Sequence, residues 1–286
     1  MNIVNFFVEP MQHAFMQRAL LSAIVIGVSC AVFSCLLILK GWSLMGDAVS
    51  HAVLPGLGLA YIVGAPPGVG AFAAGLFCAV GTGFIQENSR VKEDAVLGIV
   101  FSGMFALGLV MLTKIETDIH LMHVLFGNIL GTSSADLIES CIIAFTCSII
   151  ILIKRRDFVL YCFDPVQARV SGQPVRLLHF GLLALLSLTI VSALKTAGII
   201  LVVAMLIAPG ASSFLICRSF DRMLLIAILV SVISCVTGTL MSYHLDVDTA
   251  PCIVVIQALI FVALAFYAKI GRPFLKEGKT QGTCSR

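Results

Sequence analysis

From Gln17 onward the chain is a succession of apolar runs of about 20 residues, broken only by short polar or glycine–proline stretches. That is the length of a helix crossing the ~30 Å hydrocarbon core of a bilayer. Inside a bilayer each backbone N–H and C=O must be paired within its own segment, so runs of this length become helices. The predicted spans are Gln17 to Leu39, Leu44 to Val63, Pro67 to Gln86, Asp94 to Thr113, Ala135 to Ile153, Leu177 to Leu194, Thr196 to Cys217, Met223 to Met241 and Pro251 to Ala268. The expected fold is therefore all-α, a polytopic transmembrane helix bundle of 8–9 spans. The run His123 to Gly131 is too short to cross and reads as a re-entrant or interfacial piece. The first run is too long for a signal-peptide core and no A-x-A site follows it, so it should stay as a membrane helix.

Composition agrees. The 286 residues are 59% hydrophobic and 12% charged, against roughly 25% charged in ordinary globular domains. Mean hydropathy is +1.08. A net charge of +3, scattered along the chain, gives no case for nucleic acid. The ten cysteines lack C-x-x-C spacing and lie mostly inside apolar runs, where a thiol acts as a small hydrophobe.

Basic residues set the orientation. Arg90 and Lys92, Lys154 to Arg156 with Arg169 and Arg176, Arg218 with Arg222, and the tail lysines and arginines fall on one side of a nine-span chain, together with Lys40. The positive-inside rule makes that side cytoplasmic. Gly64 to Pro66, Lys114 to Met122, Lys195 and Ser242 to Ala250 fall outside, and Arg18 is an exception. Small-residue rows at Gly56, Ala60 and Gly64, and at Ala71 and Gly75, predict close helix packing. No repeat is evident.

Within GWSLMGDAVSHAVLPG, Gly41 to Gly56, an apolar segment carries Asp47 and His51 four residues apart. Residues i and i+4 share one helix face. Measured from Lys40 at ~1.5 Å per residue, the pair lies roughly 10 to 16 Å into the hydrocarbon layer. Ionisable groups at that depth cost several kcal/mol and mark functional sites. Pro55 lacks an N–H, which deprives the His51 carbonyl of its helical partner. Carboxylate, imidazole and carbonyl suit a divalent cation of the manganese, iron or zinc type. The alternative is an internal ion pair that holds helices together.

The most polar interior segment, Lys154 to Arg176, contains FDPVQARVSG. Asp164 as N-cap and Pro165 at the first helical position start a short helix, and Gly172 stops it. Taken by itself this is either an ordinary loop helix or a docking element.

Three stretches together resemble the membrane subunit of bacterial ABC importers for manganese, iron and zinc: GWSLMGDAVSHAVLPG, FDPVQARVSG, and LKTAGIILVVAMLIAPGAS from Leu194 to Ser212. A fourth, SYHLDVDTAPCIVV, is a weaker match, with DVDTAP where many relatives have proline and glycine. The manganese/iron (chelated iron) branch is the most similar. The resemblance implies one permease domain over residues 1–286, with a cytoplasmic coupling loop at 154–176 and a cytoplasmic tail at 269–286. It implies a homo- or heterodimer with a second permease subunit, a periplasmic metal-binding protein, a cytoplasmic ABC ATPase and a bacterial inner-membrane location. It places the metal site on Asp47 and His51, and the ATPase-coupling helix on Phe163, Asp164, Pro165, Ala168 and Gly172. The metal is then cargo, with no permanently bound cofactor. A dimer would raise two metal ligands to four.

His120 and His123, near Asp118, are candidates for an outer metal relay, whereas His13, His179 and His244 are single and receive no role. Gly278-Lys279-Thr280 resembles the end of a phosphate-binding loop, but Pro273 stands where that motif needs glycine, so no ATP site is expected in this chain and the permease is not an enzyme. Rival readings are an ion-coupled secondary transporter, an intramembrane metalloenzyme and a cobalamin- or siderophore-type permease. The first lacks paired broken helices, the second lacks H-E-x-x-H, and the third has no need of a buried Asp–His pair.

Overall fold

Each of the nine predicted spans is helical in the computed structural model, which describes residues 9–90, 93–114 and 134–276. The helices are α1 (Ala14–Lys40), α2 (Met45–Val63), α3 (Pro67–Asn88), α4 (Glu93–Lys114), α5 (Ser134–Ile153), α6 (Arg155–Phe163), α7 (Pro165–Val170), α8 (Val175–Ile216), α9 (Phe220–Leu245) and α10 (Thr249–Lys276). No strand occurs among the described residues. His120, His123, the predicted re-entrant run and the Gly278 tail lie outside them.

Seven of these helices are long and apolar enough to cross a membrane, and α4 adds a shorter apolar stretch, Ala95–Met111. The 42-residue α8 is two passes in one. Gly198, at φ 74° and ψ 166°, is the one non-helical residue inside it, and no other residue type adopts that conformation readily. Before it, Ser192 accepts a hydrogen bond from Ser140 and Lys195 pairs with Glu139, both near the start of α5. After it, the Gly210 N–H donates to Ser34 Oγ near the end of α1. The chain therefore reverses at Gly198, three residues past the predicted break at Lys195 and without a loop. Counting α8 twice and including α4, the described residues make nine passes, within the expected range.

The ends sort by charge. Lys40, Arg155, Arg176 and Asp221 lie at one end, where Arg155 pairs with Asp221 at 2.9 Å. The α1 start and α9 end meet at the other, with His13 and Tyr243 rings 5.9 Å apart. We call these the basic end and the opposite end.

Glycines set the closest crossings. A Cβ on Gly56 of α2 would lie 2.6 Å from Ala74 Cβ of α3, and one on Gly70 would lie 2.6 Å from Ala60 Cβ. The predicted α2 row, Gly56 and Ala60, thus makes this contact, but its α3 counterpart is Gly70 and Ala74 in place of Ala71 and Gly75. Buried serines join helices elsewhere: Ser148 donates to Ser29 at 2.7 Å, and Ser29 to the Ala144 carbonyl at 2.8 Å.

Candidate functional site

The turn into α2 fixes where its polar face begins. Gly41, left-handed at φ 81°, ends α1. The Trp42 N–H returns to the Leu37 carbonyl, and the Met45 N–H bonds the Trp42 carbonyl as α2 starts. Asp47 then falls in the first turn of α2, where the helix dipole favours a carboxylate. His51 Nε2 lies 3.4 Å from Asp47 Oδ1. Both side chains are partly exposed, 22% for His51 and 36% for Asp47, whereas Ala48, Val49, Ala52 and Val53 are buried. One face of α2 packs into the bundle and the adjoining one presents the pair.

Val49 and Val53 flank His51 and pack on Gly75, in the middle part of α3. That puts the pair at mid-depth of the bundle. Pro55, one turn on, is buried within α2 and cannot donate to the His51 carbonyl. Gly108 of α4 packs against it so closely that a Cβ there would lie 2.8 Å from Leu54 Cβ and 2.9 Å from Pro55 Cδ.

Two residues absent from the sequence reading complete the surroundings. The rings of Phe101 and Phe105 on α4 stand 5.5 and 5.1 Å from the His51 ring, Phe105 edge-on at 83°. His51 Nδ1 is buried beside them with no partner among the described residues. Both phenylalanine rings pack against the imidazole, whose Nε2 is the nitrogen nearest Asp47. Their i,i+4 spacing, the same as that of Asp47 and His51, was the available signal.

The second predicted element is formed at the basic end. Asp164 Oδ1 accepts the Val166 and Gln167 N–H groups at 2.9 and 3.0 Å, Pro165 opens α7, and Gly172 closes it at φ 76°. The Gln173 N–H bonds the Ala168 carbonyl across this stop, and Ala168 is fully buried. Phe163, Val166 and Val170 are 78%, 70% and 79% exposed, a short apolar face pointing away from the bundle. Arg155–Phe163, read only as loop, is an extra helix, held to the α7 exit by Gln173 Nε2 donating to Asp157 at 3.0 Å. The structure does not bring α7 to Asp47 and His51; they occupy different levels of the bundle.

The ABC 3 transport family matches residues 12–268. The chain belongs to that family. This ABC 3 permease is a multi-pass membrane protein, the membrane subunit of an ABC transport system. It is 61% identical over 262 residues to the chelated iron transport system membrane protein YfeD of Yersinia pestis, covering 92% of this chain and 88% of that one. It is 49% identical over 269 residues to the manganese transport system membrane protein MntB of a Synechocystis strain, covering 94% and 87%. Among solved structures, PsaBC from Streptococcus pneumoniae in complex with Fab superposes with a TM-score of 0.83 at 34% identity, covering 94% of this chain and all of that one. An inward-facing putative metal-chelate type ABC transporter, at 18% identity and a TM-score of 0.71, shares the fold.

Proposed function

We propose that this permease conducts a divalent metal ion, manganese or iron, across the bacterial inner membrane into the cytoplasm. A separate cytoplasmic ATPase drives it and a periplasmic metal-binding protein supplies it. The observation that carries the reading is the Asp47–His51 pair at mid-depth. With metal–ligand bonds of about 2.1 Å, a 3.4 Å separation of Oδ1 and Nε2 subtends roughly 108° at a shared ion, a workable chelate angle. The partial exposure of both groups leaves them open to cargo. The relatives named for manganese and chelated iron support that choice of metal.

No cluster of three or more His, Cys, Asp or Glu residues occurs among the described residues. Two ligands per chain make a weak site, and a second permease subunit, identical or related, would supply two more across the dimer axis. Weak binding suits a step that must release its ion. The exposed apolar face of α7, its Asp164-capped start and its left-handed stop at Gly172 support its role as the element that docks on the ATPase. His120 and His123 would relay metal on the outer side.

Asp47→Asn and His51→Ala test the site. Uptake of radioactive Mn(II) into cells expressing the full transporter should fall to background, with membrane insertion and assembly unchanged. Wild-type uptake by either correctly assembled variant removes the site assignment.

A further inference from the structure

Four side chains, from three helices and the α1–α2 turn, converge at the basic end. Lys40, the last residue of α1, holds its Nζ 4.3 Å from the Tyr161 ring centre and 5.6 Å from that of Trp42. The Tyr161 hydroxyl meets His179 Nδ1 at 2.7 Å, joining α6 to α8. The His179 ring stands edge-on to Trp42, 5.4 Å away. Its Nε2 faces Gly83 of α3, where a Cβ would sit 3.1 Å off. Trp42 and Tyr161 are each only 3% exposed. A cation between two buried rings, one of them tethered by a hydrogen bond, is an ordered assembly that moves as a unit.

Its position is what matters. Tyr161 lies three residues before Asp164, the cap of α7. Trp42 forms the turn from which α2 starts, five residues before Asp47, and its carbonyl holds the Met45 N–H. α7 packs on α6 and α8, and α6 packs in turn on α1 and α8, so displacement of α7 reaches α2 through these neighbours. We propose that Lys40, Trp42, Tyr161 and His179 form the joint that converts movement of the α6–α7 segment into movement of α2, and so of Asp47 and His51. They are positioning residues that touch neither metal nor nucleotide. The inference rests on the reading of Asp47–His51 as the metal step and of α7 as the ATPase-facing element.

The test uses the complete transporter in phosphatidylethanolamine–phosphatidylglycerol vesicles, with Lys40→Met, Lys40→Arg and Tyr161→Phe. Three quantities are read: Mn(II) binding to the purified complex by electron paramagnetic resonance, binding-protein-stimulated ATP hydrolysis, and Mn(II) imported per ATP. Lys40→Met and Tyr161→Phe should keep binding and hydrolysis while ions per ATP fall about fivefold or more, the low end of measured couplings. Lys40→Arg, which keeps a cation over both rings, should retain the wild-type ratio. An unchanged ratio in Lys40→Met and Tyr161→Phe overturns the joint, as does a ratio equally depressed in Lys40→Arg, which would mean packing alone. Should Lys40→Met fail to assemble, Tyr161→Phe decides, since it keeps the ring and removes one hydroxyl. A wild-type complex that neither binds nor imports Mn(II) refutes the proposed function instead, before the variants are compared.

Discussion

Gly56→Ala adds one methyl group at the tightest crossing of the bundle. The new Cβ would lie 2.6 Å from Ala74 Cβ and 2.7 Å from the Gly70 carbonyl carbon. The Gly70 carbonyl oxygen lies closer still, and ordinary carbon contacts begin near ~3.4 Å, so α2 and α3 must separate by at least about 0.8 Å at this level. No flexible side chain can absorb that, because the atoms in the way are backbone and Cβ. Overpacking of this kind costs about 1–3 kcal/mol. For a chain of this size that lowers the apparent Tm by roughly 3–9 °C. Gly81→Ala on α3 is the internal control: nothing lies within 4 Å of its Cβ position. Removing a glycine from a helix interior stabilises by about 0.5–1 kcal/mol, so that variant should match or exceed wild type. Detergent-purified proteins, heated in steps and passed over a fluorescence-monitored sizing column, give the comparison. Because Gly56 lies only five residues after His51, Gly56→Ala should also slow Mn(II) uptake. Equal midpoints for the two variants would refute the reasoning, since the α2–α3 contact would then have slack that the geometry denies.

Asp164→Ala removes the acceptor of two N–H groups, about 0.5–2 kcal/mol from a helix too short to hold itself, and should uncouple ATP hydrolysis from transport while Mn(II) binding persists. Gly172→Val forces a β-branched residue to φ 76° and should cost co-purification of the ATPase; a fully coupled variant would make α7 a plain connector. Phe105→Ala removes the edge contact that orients His51 and should weaken Mn(II) binding about tenfold; an unchanged affinity would show that the imidazole holds its orientation unaided. Burial pushes the Cys162 thiol, on α6, up to about 12, with Lys40 pulling the other way. At pH 8 its reactive thiolate is then about one part in ten thousand. Maleimide should therefore spare Cys162 in a single-cysteine protein until it is unfolded, and labelling of the native state at that pH would contradict its burial.

The spans and the α7 boundaries were legible because both rest on local rules. Run length sets a crossing, and the Asp164, Pro165 and Gly172 preferences act within one turn of chain. The Asp47–His51 face was legible for the same reason. What escaped depends on helix rotation. Membrane helices here are apolar nearly all round, so their periodicity does not say which face meets which neighbour. Two small-residue rows on α3 were therefore equally good, and Gly70 with Ala74 proved to face α2 while Gly75 faces Val49. Phe101 and Phe105 read as ordinary lipid-facing or core residues until α4 is laid beside α2. His179 looked solitary because its partners Tyr161 and Trp42 lie 18 and 137 positions away in the chain. Arg155–Phe163 was missed as a helix because its charges hid a buried side formed by Phe158, Tyr161 and Cys162.

The loop-free reversal at Gly198 bears on how the chain is made. Residues 175–216 are one apolar length with no turn to pause at, so the two halves should enter the bilayer together as a hairpin. Lys195 is the only Lys, Arg, Asp or Glu between Arg176 and Arg218. It must be carried to the face that resists positive charge during insertion. Glu139, synthesised 56 residues earlier, sits there and meets it at 2.8 Å. The N-terminal half thus supplies the counter-ion that receives the tip of the hairpin, and the order of synthesis from ribosome to membrane becomes part of what specifies the topology.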